Sequence, residues 1–291
     1  MTDQAQSAFH RLILDLYHGA ADAETMRAAA EFARLLRLDL HCLFIEDEAL
    51  LALAELPFAR EIRLPTHEWT QLDTKTVAAE FGQAVAQTRH LMNEVIRGMG
   101  VTGEFEVLSG DPAACIAAVC QASDIVVVAE PGPPAARTAH GVTRLRAAAH
   151  ASAASVLLLP AHLKPRPGYV VAVLTDATDA SLDVACGIAT AANEGVMILL
   201  TEPVPEAAAD SLKDRAHALG VPLEWIKLRT AQGTQAGDVL HALADLRERL
   251  IVMTRSASAL GDSVSASHIA TARRVPLLLL EPKSHTDQPS G

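Results

Sequence analysis

The chain states one pattern twice. Leu12-Ile13-Leu14-Asp15, an apolar strand closing on an acidic residue, leads through an alanine-rich helical stretch to Leu40-His41-Cys42-Leu43-Phe44-Ile45. About 160 residues later Val171-Ala172-Val173-Leu174-Thr175-Asp176 leads through another alanine-rich stretch to Val196-Met197-Ile198-Leu199-Leu200. The halves also end alike, on Val156-Leu157-Leu158-Leu159-Pro160 and on Pro276-Leu277-Leu278-Leu279-Leu280-Glu281-Pro282. A repeat at domain-sized period means two copies of one fold, a stronger restriction than any single motif here.

The 291 residues suffice for two domains, each with its own core. Half of the residues are hydrophobic but only 3% are aromatic, so Ala, Val, Leu and Ile must fill that core. Such a filling suits parallel sheets covered by helices on both faces. A net charge of −11 argues against nucleic acid as a partner, because phosphate contacts need a basic surface. No apolar run reaches a membrane span. Met1-Thr2-Asp3-Gln4 is polar and carries no basic region, so no secretory signal is expected and the location expected is the cytoplasm. Four scattered cysteines make no disulfide framework, and Cys115 and Cys120 point apart on a helix.

In the first half the pattern predicts strands near 11–16, 39–45, 103–108, 124–129 and 155–159. It predicts helices over 22–37 and 74–99, and a third opening at Asp111-Pro112, where aspartate caps and proline takes the first helical position. The second half predicts strands over 169–175, 196–201, 222–229, 249–254 and 276–280, and helices over 179–193, 206–219, 235–247 and 263–273. The boundaries expected are a first domain over 1–163, a second over 168–282 and a disordered tail over 283–291. Proline-rich Leu163-Lys164-Pro165-Arg166-Pro167-Gly168 forms the link. The first half alone carries an insertion near 47–75, expected to be helical and amphipathic, with Pro57 ending its helix at Leu56.

Strand–helix alternation builds an open, doubly wound sheet, whose ligands sit beyond the carboxyl ends of the strands where strand order reverses. That rule sets Asp15 and Asp176 beside the loops beginning at Ala129-Glu130-Pro131-Gly132 and at Thr254-Arg255-Ser256. Both aspartates read equally well as turn residues or N-caps.

Several of these stretches have a family likeness: the strands ending in aspartate, Leu108-Ser109-Gly110-Asp111-Pro112-Ala113, Ile116, Ser123-Asp124-Ile125-Val126-Val127-Val128 and the closing Val156-Leu157-Leu158-Leu159. Each half resembles a universal stress protein domain, and the chain resembles a tandem member of that family. The resemblance implies two five-stranded parallel sheets of the adenine nucleotide hydrolase-like superfamily. ATP-binding members carry Gly, two residues, Gly, nine residues, then Gly with Ser or Thr, whose backbone N–H groups hold phosphate.

Neither copy keeps that signature. The first reads Gly132-Pro133-Pro134-Ala135 with Gly141-Val142-Thr143 further on, and its prolines remove donors. The second runs from Thr254 and Ser256 to Gly261-Asp262-Ser263, where Asp262 opposes a phosphate. The candidate pockets are therefore degenerate: Asp15, Gly132, Gly141 and Thr143 in the first half, and Asp176, Thr254, Ser256, Gly261 and Ser263 in the second. No cofactor is expected, with ATP as the alternative. The second half is favoured for it, since Asp176-Ala177-Thr178 is less bulky than Asp15-Leu16-Tyr17-His18-Gly19 and Ser256, Ser258, Ser263 and Ser265 could donate.

No phosphate-loop lysine, nucleophile elbow, Cys-x-x-Cys pair or histidine metal spacing is present in the sequence. The expected role is a non-catalytic binding or signalling module of stress response, the rival a stress protein with slow ATPase activity in its second domain. The resemblance further implies pairing through fifth strands. An internal pseudo-dimer of the two halves follows, leaving residues 47–64 for a homodimer or protein partner.

Overall fold

The computed structural model describes residues 9–15, 23–63, 68–130, 140–161, 163, 166–255 and 260–282. In the first half β1 (Arg11–Asp15) passes through α1 (Ala23–Leu36) to β2 (Asp39–Asp47). Then come α2 (Glu48–Ala54), β3 (Arg60–Arg63), β4 (Glu68–Gln71), the long α3 (Thr74–Met99) and β5 (Gly103–Gly110). The half closes with α4 (Pro112–Val119), β6 (Asp124–Ala129), α5 (His140–Ala151) and β7 (Ser155–Leu159). The second half runs β8 (Tyr169–Leu174), α6 (Ser181–Ala192), β9 (Val196–Leu200), α7 (Glu206–Ala218) and β10 (Ile226–Thr230). It ends with α8 (Ala236–Ala242), β11 (Glu248–Thr254), α9 (Ser263–Arg273) and β12 (Leu277–Leu280).

The main sheet is a single ten-stranded one, ordered β10-β9-β8-β11-β12-β7-β6-β1-β2-β5. Each group of five is parallel and repeats one order, third-second-first-fourth-fifth, so strand order reverses between β1 and β6 and again between β8 and β11. The groups meet antiparallel, with Leu277 opposite Leu158, Leu278 opposite Leu157 and Leu279 opposite Val156. Two five-stranded sheets expected from the sequence are thus fused into one, because neither fifth strand is left with an open edge.

Strand alternation sorts the core. Leu12, Leu14, Ile125 and Val127 face the side covered by α1, α3, α6 and α7, while Ile13, Val126 and Val128 face α4, α5, α8 and α9. Each fully buried branched side chain contributes roughly 1.5–3 kcal/mol, so strands buried on both faces need no aromatic residues. Two carboxylates lie fully buried at the amino ends of the fourth strands. Asp124 takes Arg11 Nε at 3.1 Å and Nη2 at 2.8 Å, and Glu248 takes the guanidinium of Arg273.

Helices end where their caps dictate. Asp73 accepts from Thr76 N to start α3, and Gly100 stops it at φ 65°, a left-handed conformation that glycine adopts without strain. The insertion departs from expectation. Among its described residues before α3 it is helical over Glu48–Ala54 alone, and a separate antiparallel hairpin, β3–β4, follows with Ile62 opposite Trp69. Residues 222–225 curl into Pro222 and a 3-10 turn, Leu223–Trp225, instead of extending β10. Helix α8 stops at Ala242, five residues short of the 235–247 reading.

Candidate functional site

The two candidate crevices are the places where strand order reverses, beyond the carboxyl ends of β1 and β6 and of β8 and β11. In the second, the residue that organises the crevice is Asp179. Its Oδ1 accepts from Thr254 Oγ1 at 2.6 Å, Ser181 Oγ at 2.7 Å and Ser181 N at 2.9 Å. Its Oδ2 accepts from Thr175 N and Oγ1, both at 3.2 Å. Asp179 is buried, so a carboxylate with five donors ties the loop after β8 to the end of β11. Arg215 of α7 fastens the same loop from outside, donating to Ala177 O at 2.9 Å and to both carboxylate oxygens of Asp183.

Asp176 has a different place from the one its sequence position promises. It lies past the end of β8, exposed, and its Oδ1 accepts from Thr178 Oγ1 at 2.6 Å and Thr178 N at 2.7 Å. The Thr178 hydroxyl bond first, then its backbone bond, holds this carboxyl below the usual range. It is a turn residue, and Thr254 bonds Asp179 rather than Asp176. Sequence reasoning passed over Asp179, although an aspartate two residues before Ser181 at a helix start is a capping signal.

The helix start after β11 is also occupied. Asp262 Oδ1 accepts from Val264 N at 2.7 Å and Ser265 N at 2.9 Å, and its Oδ2 from Ser265 Oγ at 2.8 Å. These are N–H groups at the start of α9, and the chain's own carboxylate takes them. The Ser265 backbone bond leads in holding Asp262 below the usual carboxylate range. Gly261 is buried beside this cap and Ser263 opens α9. Ser256 and Ser258 lie outside the described residues.

The first crevice is acidic. Asp15 closes β1, while Asp47 and Asp111 cap α2 and α4 through Ala49 N and Ala114 N. Burial pushes the Cys115 thiol up, and the fields of Asp111, Glu48 and Asp15 push it further. Gly132 and the turn after Asp15 lie outside the described residues, whereas Gly141 and Thr143 fall in the first turn of α5. The four cysteines are free, and burial pushes Cys42, Cys120 and Cys186 up to about 12, so none is a ready nucleophile.

Against solved structures, the chain superposes along nearly its whole length on a universal stress protein from Archaeoglobus fulgidus DSM 4304. The TM-score is 0.66 at 14% identity, covering 92% of this chain and 96% of that one. The fold is the universal stress protein fold. A putative universal stress protein from Pseudomonas aeruginosa UCBPP-PA14 gives 0.54 at 14% identity, over 95% and 94% of the two chains. A functionally unknown protein from Pseudomonas aeruginosa PAO1 gives 0.53 at 15%, over 96% and 95%. No protein-family model and no curated protein matches. Among the described residues no group of three or more His, Cys, Asp or Glu side chains could hold a metal ion, and no helix is long and apolar enough to cross a membrane.

Proposed function

We propose that this chain is a non-catalytic binding or signalling module of the universal-stress type, acting in the cytoplasm, with two nucleotide crevices that its own carboxylates have closed. The observation that carries the reading is Asp262, which takes Val264 N and Ser265 N where a nucleotide's phosphate would sit. Asp179 adds a buried negative charge to the same crevice, and Asp15, Asp47, Glu48 and Asp111 make the other one acidic. Phosphate entering either would face like charge.

The same reading treats residues 1–163 and 168–282 as two domains forming an internal pseudo-dimer. Support comes from the β7–β12 pairing and from Arg249, which donates to Glu31 Oε1 at 2.6 Å in the first half and to Glu194 at 2.6 and 2.9 Å in the second.

Titration calorimetry with ATP and magnesium tests the closed crevices. No binding tighter than about 10 µM, roughly −7 kcal/mol, is expected. A tighter constant that Asp176→Ala or Thr254→Val weakens would favour the rival, an ATP-binding protein using its second domain.

A further inference from the structure

On the sheet face covered by α1, α3, α6 and α7, a groove of about 520 Å³ runs between α1 and α3. Its lining positions recur at three-, four- and seven-residue spacing on each helix, so each contributes a stripe two turns, about 10 Å, long. Ala28, Leu91 and Val95 make an apolar floor, and Glu24, Glu31 and Glu94 stand along the rim with Arg27 as the lining's single cation. Glu31 gives one oxygen to Arg249, and Glu94 lies 3.4 Å from His90. The rim remains acidic on balance.

The second half shows what such a gap accepts. Its corresponding helices, α6 and α7, are bridged by an arginine: Arg215 of α7 donates from Nε and Nη2 to Asp183 of α6 at 3.0 and 2.8 Å. Between α1 and α3 the carboxylates are present, and no arginine of α3 answers them among the lining residues.

We propose that the α1–α3 groove receives an amphipathic helix of a protein partner, its apolar stripe on the Ala28–Leu91–Val95 floor and a flanking arginine on Glu24 and Glu94. The length and spacing of the stripes suit a helix laid into a groove, and the charge selects a basic one. This gives a partner to the binding role proposed above and fails separately from it, since the ATP titration reads the crevices and not the groove.

Gly98 supplies a clean test. It lines the groove, and a Cβ built there meets nothing within 4 Å, so Gly98→Trp fills the space while improving helix propensity. Gly82, on the same helix, is equally open but lies outside the lining, so Gly82→Trp is the control. The probe is a labelled synthetic helix of about 15 residues, with leucines on one stripe and arginines beside it, followed by anisotropy with the full chain. Micromolar binding is expected, weakened at least about tenfold by Gly98→Trp and unchanged by Gly82→Trp. Glu24→Gln with Glu94→Gln should weaken it severalfold and flatten its salt dependence. Absence of binding, equal binding to Gly98→Trp, or equal binding of a scrambled peptide of the same charge overturns the proposal. So does a self-associated protein that Gly98→Trp dissociates, which would make a second copy the occupant.

Discussion

Glu130 and Arg255 stand in equivalent places in the two halves and reach across the junction in opposite directions. Each follows its fourth strand and donates its N–H to the end of the fifth, Glu130 to Leu159 O at 2.8 Å and Arg255 to Leu280 O at 2.7 Å. Glu130 Oε2 then accepts from Thr271 Oγ1 of the second half at 2.9 Å. Arg255 donates to Ser152 O at 3.0 Å and Ala154 O at 2.9 Å of the first half, and pairs with Glu281. One place in the repeat has taken opposite charges, which makes the junction directional.

Removing Arg255 strands two carbonyls and one carboxylate at a half-buried site. Arg255→Ala should therefore lower stability by about 2–4 kcal/mol, read from urea unfolding. Glu130→Gln keeps an acceptor for Thr271 and should cost no more than about 1 kcal/mol. Equal effects from the two would mean the arginine's carbonyl bonds contribute little.

The two buried carboxylates make a second test. Glu248 is fully buried and held by Arg273, so Arg273→Met leaves it charged and unpaired and should cost about 3–5 kcal/mol. Adding Glu248→Met removes the stranded charge and should restore much of that loss. A double mutant no more stable than the single would show that the pair itself, rather than the stranded charge, carries the energy.

Much of this was legible in the sequence, and the failures have physical reasons. The α3 span and the α9 span match the 74–99 and 263–273 readings, and the structure starts each on a capping aspartate, Asp73 and Asp262, that the sequence reading did not use. Ile125-Val126-Val127-Val128 could hardly be other than a strand buried on both faces. The β3–β4 hairpin was hidden because its apolar pair, Ile62 and Trp69, faces outward at 47% and 63% exposure among charges, so no buried alternation marks it. At the crevice, two aspartates ending similar strands looked equivalent. Yet Asp15 ends β1, while Asp176 lies beyond β8 and folds onto Thr178. The central role fell to Asp179, four of whose five donors come from Thr175 and Ser181 in its own loop, while the fifth, Thr254 at the end of β11, is brought to it only by the fold.

His150 gives the junction a pH dependence. Burial first, then the neighbouring charges of Arg255 and Arg146, push its imidazole down to about 4 from an ordinary 6.5. The folded protein thus binds this proton less readily than the unfolded chain. Stability is unaffected above pH 6.5 and is lost as pH falls from 6.5 towards 4. Unfolding midpoints at pH 7, 6 and 5 should decline in the native chain and decline less in His150→Leu. The carboxyls held low by hydrogen bonds, Asp176 and Asp262, lose their contributions only at more acid pH. Identical slopes in the two proteins between pH 7 and 5 would remove His150 as the source.

The last prediction concerns the fifth strands. In the whole chain β7 is covered by β12, and all five of its residues are buried. A fragment of residues 1–163 exposes that apolar edge, which should seek another copy. A copy of β7 can replace β12 strand for strand, but Glu130 would then stand where Arg255 serves Ser152 O and Ala154 O, bringing a carboxylate to two carbonyls. The fragment should accordingly associate poorly, as aggregate rather than as a defined dimer. Glu130→Arg in the fragment restores the donor and should convert it to a discrete dimer in sedimentation velocity. A monomeric, well-behaved fragment would show that β7 needs no cover, and an unchanged distribution for Glu130→Arg would show that the charge at this place does not direct the pairing.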